Sequence, residues 1–298
     1  MAKIGVIGLG SMGYPIAEHI LEGENELYVT FHADKNPAQS LVSKGAVLCS
    51  SPKEIAGFCE IILLVLPDSP QVEEVLFSDQ GIAAVQPKNI TVIDMSTIDL
   101  VKSQEFALRA ASLGITYLDA PISGGPQGAK DASLSIMVGG DKEAFLASQA
   151  ILKTLGKTVV HCGKNGMGLA AKMANNLIAA TQMAVISEAV TLAVKAGVNP
   201  EVLFEILSNS TADSRILRAK IPLYLSDDYN PRFKLSLMCK DLDIITSAAK
   251  RLGTPAIVGS AVEQVFRICK DSHGDEDSSA VSKFYQHYGS VTFRSPDE

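Results

Sequence analysis

The first half of the chain alternates between short apolar runs and amphipathic stretches. The runs are rich in Val, Ile and Leu and last four to six residues, which is typical of strands buried on both faces of a parallel sheet. The stretches between them, such as Val101 to Leu113, repeat apolar residues three and four positions apart and predict helices. The predicted strands are Ile4 to Gly8, Leu27 to Phe31, Ile61 to Leu66, Thr91 to Met95, Thr116 to Asp119, Leu134 to Val138 and Thr158 to His161.

The second half has a different pattern. Beyond Gly163 the strand-like runs stop and helical patterns follow, the longest from Leu169 to Ala196. Strands that alternate with helices predict an α/β fold of the Rossmann type, with a doubly wound and mainly parallel sheet. We therefore expect two domains, residues 1–164 with this sheet and residues 165–298 entirely helical, the second beginning with a long interdomain helix.

The Leu169 to Ala196 stretch is apolar on all sides, which predicts a helix enclosed by protein. Between Leu169 and Val194, two charges, Lys172 and Glu188, and three amides interrupt it, so it lacks the roughly 20 continuous apolar residues of a membrane span. No membrane partner is expected. One small helical domain offers little cover for such a helix, and the pattern therefore predicts a homodimer or homotetramer.

Composition narrows the class of protein. The 298 residues are 47% hydrophobic and 20% charged, as in ordinary globular proteins, and carry a net charge of −7 without a dense Lys/Arg run. A nucleic-acid partner, which requires a basic face, is not expected. Five scattered cysteines without a CxxC pair, unclustered histidines and the lack of a targeting pattern predict a cytoplasmic protein that binds no metal.

A glycine motif follows the first predicted strand and precedes a predicted helix. Its GxGxxG spacing is that of dinucleotide-binding turns, in which the first glycine makes the bend, the second admits the pyrophosphate and the third lets helix and strand pack closely. A glycine-rich turn without function is the alternative, but the position between strand and helix favours NAD or NADP. The residues of the turn are Gly8, Leu9, Gly10, Ser11, Met12 and Gly13.

The residues after the second predicted strand bear on the choice between NAD and NADP. His32 and Lys35 favour a 2′-phosphate. Asp34 would repel that phosphate and accept a hydrogen bond from a free 2′-hydroxyl. The sequence leaves the cofactor preference open.

A second motif, Asp119-Ala-Pro-Ile-Ser123-Gly124-Gly125-Pro126, follows a predicted strand, and its candidate binding residues are Ser123, Gly124 and Gly125. A serine hydroxyl and successive backbone N–H groups can bind an anion such as a carboxylate. Taken alone, a plain turn accounts for these three residues equally well.

A third motif lies near the start of the long helix. Lys172, Asn175 and Asn176 share one helix face, because residues three and four positions apart are neighbours there. Burying these polar groups without partners is costly. A functional role therefore competes with a simpler interpretation, in which the lysine reaches the surface beside two exposed amides.

Together the three motifs resemble the β-hydroxyacid dehydrogenase family, which includes 3-hydroxyisobutyrate dehydrogenase, tartronate semialdehyde reductase and, more distantly, 6-phosphogluconate dehydrogenase. The resemblance covers essentially the whole chain. It also rests on Asp94-Met-Ser96-Thr97, Met137 to Gly140 and Lys240-Asp241-Leu242. The chain departs from the family at His32-Ala33, where relatives usually carry an Asp or an Asn-Arg pair.

For the cofactor, the resemblance implies that the glycine turn holds the pyrophosphate. Leu66, Pro67 and Thr97 would line the bound cofactor, and His32 would lie at its ribose end. Lys240 would reach the cofactor from the helical domain.

For the substrate, the resemblance implies that Lys172 is the catalytic acid/base and that Asn176 orients both substrate and lysine. The substrate carboxylate would lie on the Ser-Gly-Gly turn, in the cleft between the domains. The residues expected to bind the substrate are Ser123, Gly124, Gly125 and Asn175.

The implied activity is that of an oxidoreductase that moves a hydride between NAD(P) and a small 3-hydroxy acid or its semialdehyde. A lysine accepts an alcohol proton near neutral pH when burial and a neighbouring cation favour its neutral form, and it returns the proton in the reverse direction. Two alternatives compete. An imine reductase on the same scaffold would be expected to lack Lys172, and a non-catalytic NAD(P)-sensing module would have no use for Ser123, Lys172 and Asn176 together.

Overall fold

The apolar runs of the first half and two shorter segments form a sheet, which has nine strands among the residues that the structure describes. A computed structural model describes residues 2–85 and 89–294. The strands are β1 (Lys3–Ile7), β2 (Glu26–Val29), β3 (Val47–Leu48), β4 (Ile61–Leu64), β5 (Ile90–Asp94), β6 (Ile115–Asp119), β7 (Ile122–Ser123), β8 (Ser135–Gly139) and β9 (Thr158–Gly163). Their order is β3-β2-β1-β4-β5-β6-β8-β7, and β9 pairs with β8.

The sheet is mainly parallel, as predicted. Only β8 runs antiparallel to its neighbours β6 and β7 among the described strand pairs. All seven predicted strands are present, whereas β3 and β7 were not predicted because two residues show no periodicity. In β4, Leu63 belongs to one apolar cluster and Ile62 and Leu64 to another, so both faces of the sheet are covered.

Helices connect the strands of this sheet. Several begin at a residue whose side chain accepts a hydrogen bond from the first turn, as Asp99 does from Val101 and Lys102. The helices of the first half are α1 (Gly13–Glu22), α2 (Asn36–Ser43), α3 (Pro52–Phe58), α4 (Ser69–Phe77), α5 (Leu100–Ser112), α6 (Gly125–Lys130) and α7 (Lys142–Leu155).

The long apolar stretch forms a single helix, α8 (Met167–Lys195). By length and composition alone it would also pass as a membrane span, and 33% of its most apolar window is buried. The expectation that protein encloses it is therefore wrong for the single chain. Ile178, Val185 and Leu192 remain 59%, 54% and 73% exposed.

The chain divides into two compact units, residues 1–172 and 173–298. This division lies within α8, eight residues beyond the predicted boundary at 164/165. The first turns of the helix belong to the first unit because the Asp119 carboxylate at the end of β6 accepts hydrogen bonds from Gly166 and Leu169.

The second unit is helical, as predicted. Its core is an apolar cluster that includes Met183, Phe266 and Phe293. Besides the rest of α8, its helices are α9 (Pro200–Ser208), α10 (Arg215–Ser226), α11 (Leu235–Leu252), α12 (Ile257–His273) and α13 (Val281–Gly289).

The acidic segment before α13 contains a buried ion pair. Asp277 is fully buried, and its carboxylate lies 2.6 Å from the Lys220 ammonium. It also accepts hydrogen bonds from the backbone N–H groups of Arg232, Phe233 and Ser279. Burial alone would raise the pKa of Asp277, but Lys220 and these donors hold it below its usual value. The segment therefore stabilises the second unit by linking α10 to the residues before α11.

Candidate active site

The glycine turn joins β1 to α1 in a conformation that explains each glycine. Gly8 has φ +99°, and a Cβ there would lie 2.2 Å from the Val65 carbonyl oxygen. A Cβ on Gly13 would lie 1.8 Å from the carbonyl oxygen of Gly8. Gly10 differs, because a Cβ at this position would meet no atom within 4 Å. The turn therefore packs closely at its two ends and faces open space at its middle glycine, as pyrophosphate binding requires.

The start of α1 also suits an anion. No side chain accepts a hydrogen bond at its N-cap residue Met12, and its first turn contains no acidic residue. The N-terminal N–H groups and the positive end of the helix dipole favour a negatively charged ligand at this point. The residues present therefore fit the pyrophosphate of NAD(P).

Two further loops lie at the same edge of the sheet, at the carboxyl ends of β4 and β5. The Ser96 hydroxyl accepts a hydrogen bond from the Leu66 N–H at 2.9 Å and so ties the loops together. Asp94 orders the second loop, since its carboxylate accepts from the Ser96 N–H at 3.0 Å and from the Tyr117 hydroxyl at 2.7 Å. The structure thus places Leu66-Pro67 and Thr97 at the same edge of the parallel sheet as the glycine turn, where a cofactor would lie.

The segment after β2 is exposed. His32 lies three residues beyond the strand, and the Lys35 ammonium stacks 5.1 Å from the centre of the Phe31 ring. The Asp34 carboxylate accepts a hydrogen bond from the Asn36 N–H at 2.9 Å, which helps to begin α2. This contact gives Asp34 a structural role, whereas the role of His32 stays a prediction.

The Ser123-Gly124-Gly125 turn has a backbone that requires its glycines. Gly124 has φ +134° and Gly125 has φ +63°, conformations that L side chains rarely adopt. Ser123 ends β7 and is half-buried. A Cβ on Gly125 would meet no atom within 4 Å, so the turn faces open space there. This geometry is compatible with the predicted carboxylate site.

Lys172 lies six residues into α8 and is only 8% exposed. The simpler interpretation of a lysine that reaches the surface is therefore wrong. The helix begins at the end of β6, where Asp119 accepts from the N–H groups of Gly166 and Leu169 at 2.7 Å and 3.0 Å. Burial raises the pKa of Asp119 to about 6, although both N–H donors oppose the shift.

Asn176 lies one turn beyond Lys172 on the same helix and is 5% exposed. Its amide nitrogen donates to the Asp241 carboxylate at 2.6 Å, and its carbonyl oxygen accepts from the Asn175 amide at 2.9 Å. Asp241 also lies 3.2 Å from the Lys240 ammonium. The predicted residues Asn175, Asn176 and Lys240 thus form one connected group around Asp241.

Sequence reasoning missed the three buried carboxylates that organise these motifs. Asp94, Asp119 and Asp241 each lie within a segment that the resemblance already used, but none was proposed as a site residue. A usable signal was present for the first two, because each is an acidic residue at the end of an otherwise apolar predicted strand.

Comparison with known proteins agrees with this arrangement. Residues 3–163 match the NAD-binding domain of 6-phosphogluconate dehydrogenase, and residues 166–285 match the NAD-binding domain of NADP-dependent 3-hydroxyisobutyrate dehydrogenase. The Escherichia coli 2-hydroxy-3-oxopropionate reductase is 37% identical and aligns over 94% of this chain and 95% of its own length. The structure of Mycobacterium tuberculosis 3-hydroxyisobutyrate dehydrogenase with L-serine superposes with a TM-score of 0.87 at 29% identity, over 95% of this chain and 99% of that one.

The fold and the glycine turn define an NAD(P)-dependent oxidoreductase. The chain belongs to the β-hydroxyacid dehydrogenase family. An imine reductase from Pseudomonas sp. is a more distant neighbour, with a TM-score of 0.62 and 21% identity over 95% of this chain and 98% of its own. That likeness shows the shared fold alone.

Proposed function

We propose that the protein interconverts a small 3-hydroxy acid and its semialdehyde, with Lys172 as the acid/base. The observation that carries this proposal is the burial of Lys172 on a helix tied to β6, the strand that leads into the Ser123-Gly124-Gly125 turn. Burying an ammonium is costly, and a lysine in such a place is a candidate for proton transfer.

The substrate class follows from chemistry that two relatives share. One relative is named for 2-hydroxy-3-oxopropionate and the other was solved with L-serine. Both compounds are three-carbon carboxylates with an oxygen on the third carbon. We infer that the Ser123 hydroxyl and the Gly124 N–H bind the carboxylate, so that the oxygen on the third carbon lies beside Lys172.

In the proposed mechanism, the Lys172 amine takes the proton of the substrate hydroxyl during oxidation and returns it to the carbonyl oxygen during reduction. When bound, the nicotinamide supplies the acceptor or the donor of the hydride. Asn176, held by Asp241, would orient the substrate oxygen toward the lysine. Leu66, Pro67 and Thr97 would line the cofactor, and Lys240 would contact it.

Turnover of matched substrates tests the substrate class. A 3-hydroxy acid should be oxidised with NAD or NADP, whereas its methyl ester, which lacks the carboxylate charge, should show a kcat/KM lower by about 10²-fold. Ser123→Ala should raise KM for the acid more than it lowers kcat, because the carboxylate is bound equally in the ground and transition states. Equal turnover of acid and ester would contradict carboxylate recognition.

We also propose that the protein is a homodimer or homotetramer. The exposed residues Ile178, Val185 and Leu192 recur every seven positions and so lie along one face of α8. A second copy of the chain offers the same apolar face, and a two-fold axis would pair the two. Sedimentation of the wild-type protein at micromolar concentration tests this assembly, and a monomeric mass would refute it.

A cytoplasmic location stays a proposal. All five cysteines are free thiols, as is usual in a reducing compartment. Fractionation of the source cells with an antibody against the protein would test it.

A further inference from the structure

Asp119 is a buried carboxylate that the proposed mechanism does not use. It ends β6, is 1% exposed, and binds two backbone N–H groups that lie 47 and 50 residues further along the chain. One oxygen accepts from Gly166 at 2.7 Å and the other accepts from Leu169 at 3.0 Å. Both donors belong to the start of α8.

These two donors are those that a helix cap normally satisfies. Gly166 is the N-cap residue of α8, since its carbonyl oxygen accepts from the Ala170 N–H at 2.9 Å, and Leu169 is the third helical residue. In a capping box the side chains of the N-cap and third residues satisfy these N–H groups. Glycine and leucine have no side chain that can accept, so the single carboxylate of Asp119 replaces both.

Two glycines let the helix start approach the carboxylate. A Cβ on Gly139 would lie 2.6 Å and 2.7 Å from the two Asp119 oxygens. A Cβ on Gly168 would lie 2.2 Å from the Met137 carbonyl oxygen and 2.8 Å from Asp119. The first turn of α8 is therefore held by hydrogen bonds and by close backbone packing at one point.

The same segment leads to the predicted carboxylate site. Ser123 lies four residues after Asp119, and Lys172 lies three residues after Leu169, about one helical turn. The hydrogen bonds of Asp119 therefore set the positions of both Ser123, which is predicted to hold the substrate, and Lys172, which is predicted to move its proton. A shift of about 1 Å between two such groups is enough to lower turnover about 10²-fold.

We propose that Asp119 is the positioning residue for Lys172, and that its carboxylate caps α8 from the end of β6 and fixes the lysine relative to the Ser123-Gly124-Gly125 turn. The inference rests on the proposed function of Lys172. The capping form is the ionised carboxylate, because both of its oxygens accept and the negative charge lies at the positive end of the helix dipole.

Several groups besides the two N–H donors influence Asp119. Burial raises its pKa to about 6, and the charge of Asp94 at the end of β5 adds to that shift. Tyr117 on β6 and Cys162 on β9 also interact electrostatically with Asp119, and burial raises the pKa of each. At neutral pH Asp119 is therefore mostly ionised, and below about pH 6 a proton occupies one of the two accepting oxygens.

The variant Asp119→Asn tests the proposal with little change in shape. An asparagine accepts one N–H but presents an NH₂ group to the other. We expect kcat for reduction to fall at least about tenfold, with the affinity for NADPH or NADH unchanged. Asp141→Asn is the matched control, because Asp141 caps α7 through the Ala144 N–H at 2.8 Å and should leave kcat within about twofold.

A pH profile separates positioning from a merely structural role. In the direction of reduction Lys172 must give a proton, so its own titration lowers kcat on the alkaline side. An acidic limb near pH 6 is expected from Asp119 in the wild type, and it should be absent in Asp119→Asn. A variant with wild-type kcat, or with the acidic limb retained, would overturn the proposal.

A measurement on the wild type covers the case in which Asp119→Asn does not fold. Hydrogen exchange at the Gly166 and Leu169 amides, corrected for intrinsic rates, should show protection at pH 7 that falls as the pH drops through about 6. Equal protection at pH 7 and pH 5 would contradict the capping role. This readout needs no activity, so it also distinguishes failure of the proposal from failure of the proposed function, which Lys172→Ala tests.

Discussion

Two stretches of α8 have similar composition and different surroundings. The first turns, Met167 to Lys172, pack against the end of β6 through Asp119 and Gly168 and bury a lysine. The stretch from residue 173 to 195 belongs to the second unit and leaves a row of large apolar side chains exposed.

An apolar helix can therefore serve two purposes along its length. At the start of α8, neighbouring residues bury the Lys172 side chain, and this burial influences how readily the lysine exchanges a proton. Further along, exposed side chains repeat every seven residues, which is typical of a surface that another helix covers. We therefore expect substitutions at the start to affect turnover and substitutions further along to affect assembly.

The largest expected effect is on turnover, in Lys172→Ala. Removing the acid/base should lower kcat by at least about 10²-fold, because general acid/base catalysis contributes about that much. The variant should remain folded, because the Asp119 hydrogen bonds to Gly166 and Leu169 that hold the start of α8 do not involve the lysine side chain. Stopped-flow and steady-state kinetics measure kcat. Fluorescence titration with the reduced cofactor shows whether the variant keeps a folded cofactor site.

The matched control for this substitution is Lys164→Ala, an exposed lysine in the loop before α8. It should leave kcat and cofactor affinity unchanged. If Lys172→Ala kept more than roughly a tenth of wild-type kcat with chemistry limiting, Lys172 would not be the proton-transfer group.

The next effect is on stability, in Gly168→Ala. The new Cβ would overlap the Met137 carbonyl oxygen, so the helix start must move, at a cost of about 1–3 kcal/mol in the free energy of unfolding. Gly57→Ala is the control, because Gly57 lies in α3 with open space around it and an alanine there should be neutral or stabilising by up to about 1 kcal/mol. The urea concentrations at the midpoint of unfolding measure the stability of the two variants. Equal midpoints for Gly168→Ala and Gly57→Ala would contradict the close approach of Gly168 to the Met137 carbonyl oxygen.

A moderate effect is expected on assembly, in Leu192→Glu. A charge in the apolar row should raise the dissociation constant of the oligomer at least about tenfold, because the carboxylate would have to be desolvated. Leu108→Glu is the control, since Leu108 is 77% exposed but lies on α5 in the first unit. Sedimentation velocity over a concentration series measures the dissociation constant of each variant. If the constant of Leu192→Glu equalled that of the wild type, the interface would not include this row of α8.

The smallest effect is expected outside both stretches, in His32→Asp. An added negative charge near the ribose should disfavour the 2′-phosphate and shift the ratio of kcat/KM values toward NAD by about tenfold or less. Turnover with saturating NAD and the oligomeric mass should stay the same. An unchanged ratio would show that His32 does not contact the ribose end of the cofactor.

Local patterns along the chain predicted the class of fold and the positions of the motifs. Short apolar runs that alternate with helical stretches predicted the seven main strands. GxGxxG is readable because backbone contacts restrict its first and last positions to glycine and a ligand needs space at its middle one. The same local rules marked Ser123-Gly124-Gly125 and the face of Lys172 and Asn176.

How those motifs are held depends on long-range contacts in the folded chain. That Asp119 caps a helix almost fifty residues away, and that Asp241 holds Asn176, follow from contacts that no local pattern encodes. The structure also showed that Lys172 is buried while Leu192 is exposed, although both lie on one helix. The physical reason is that burial depends on which elements pack against a side chain, and hydrophobic periodicity describes only the helix itself.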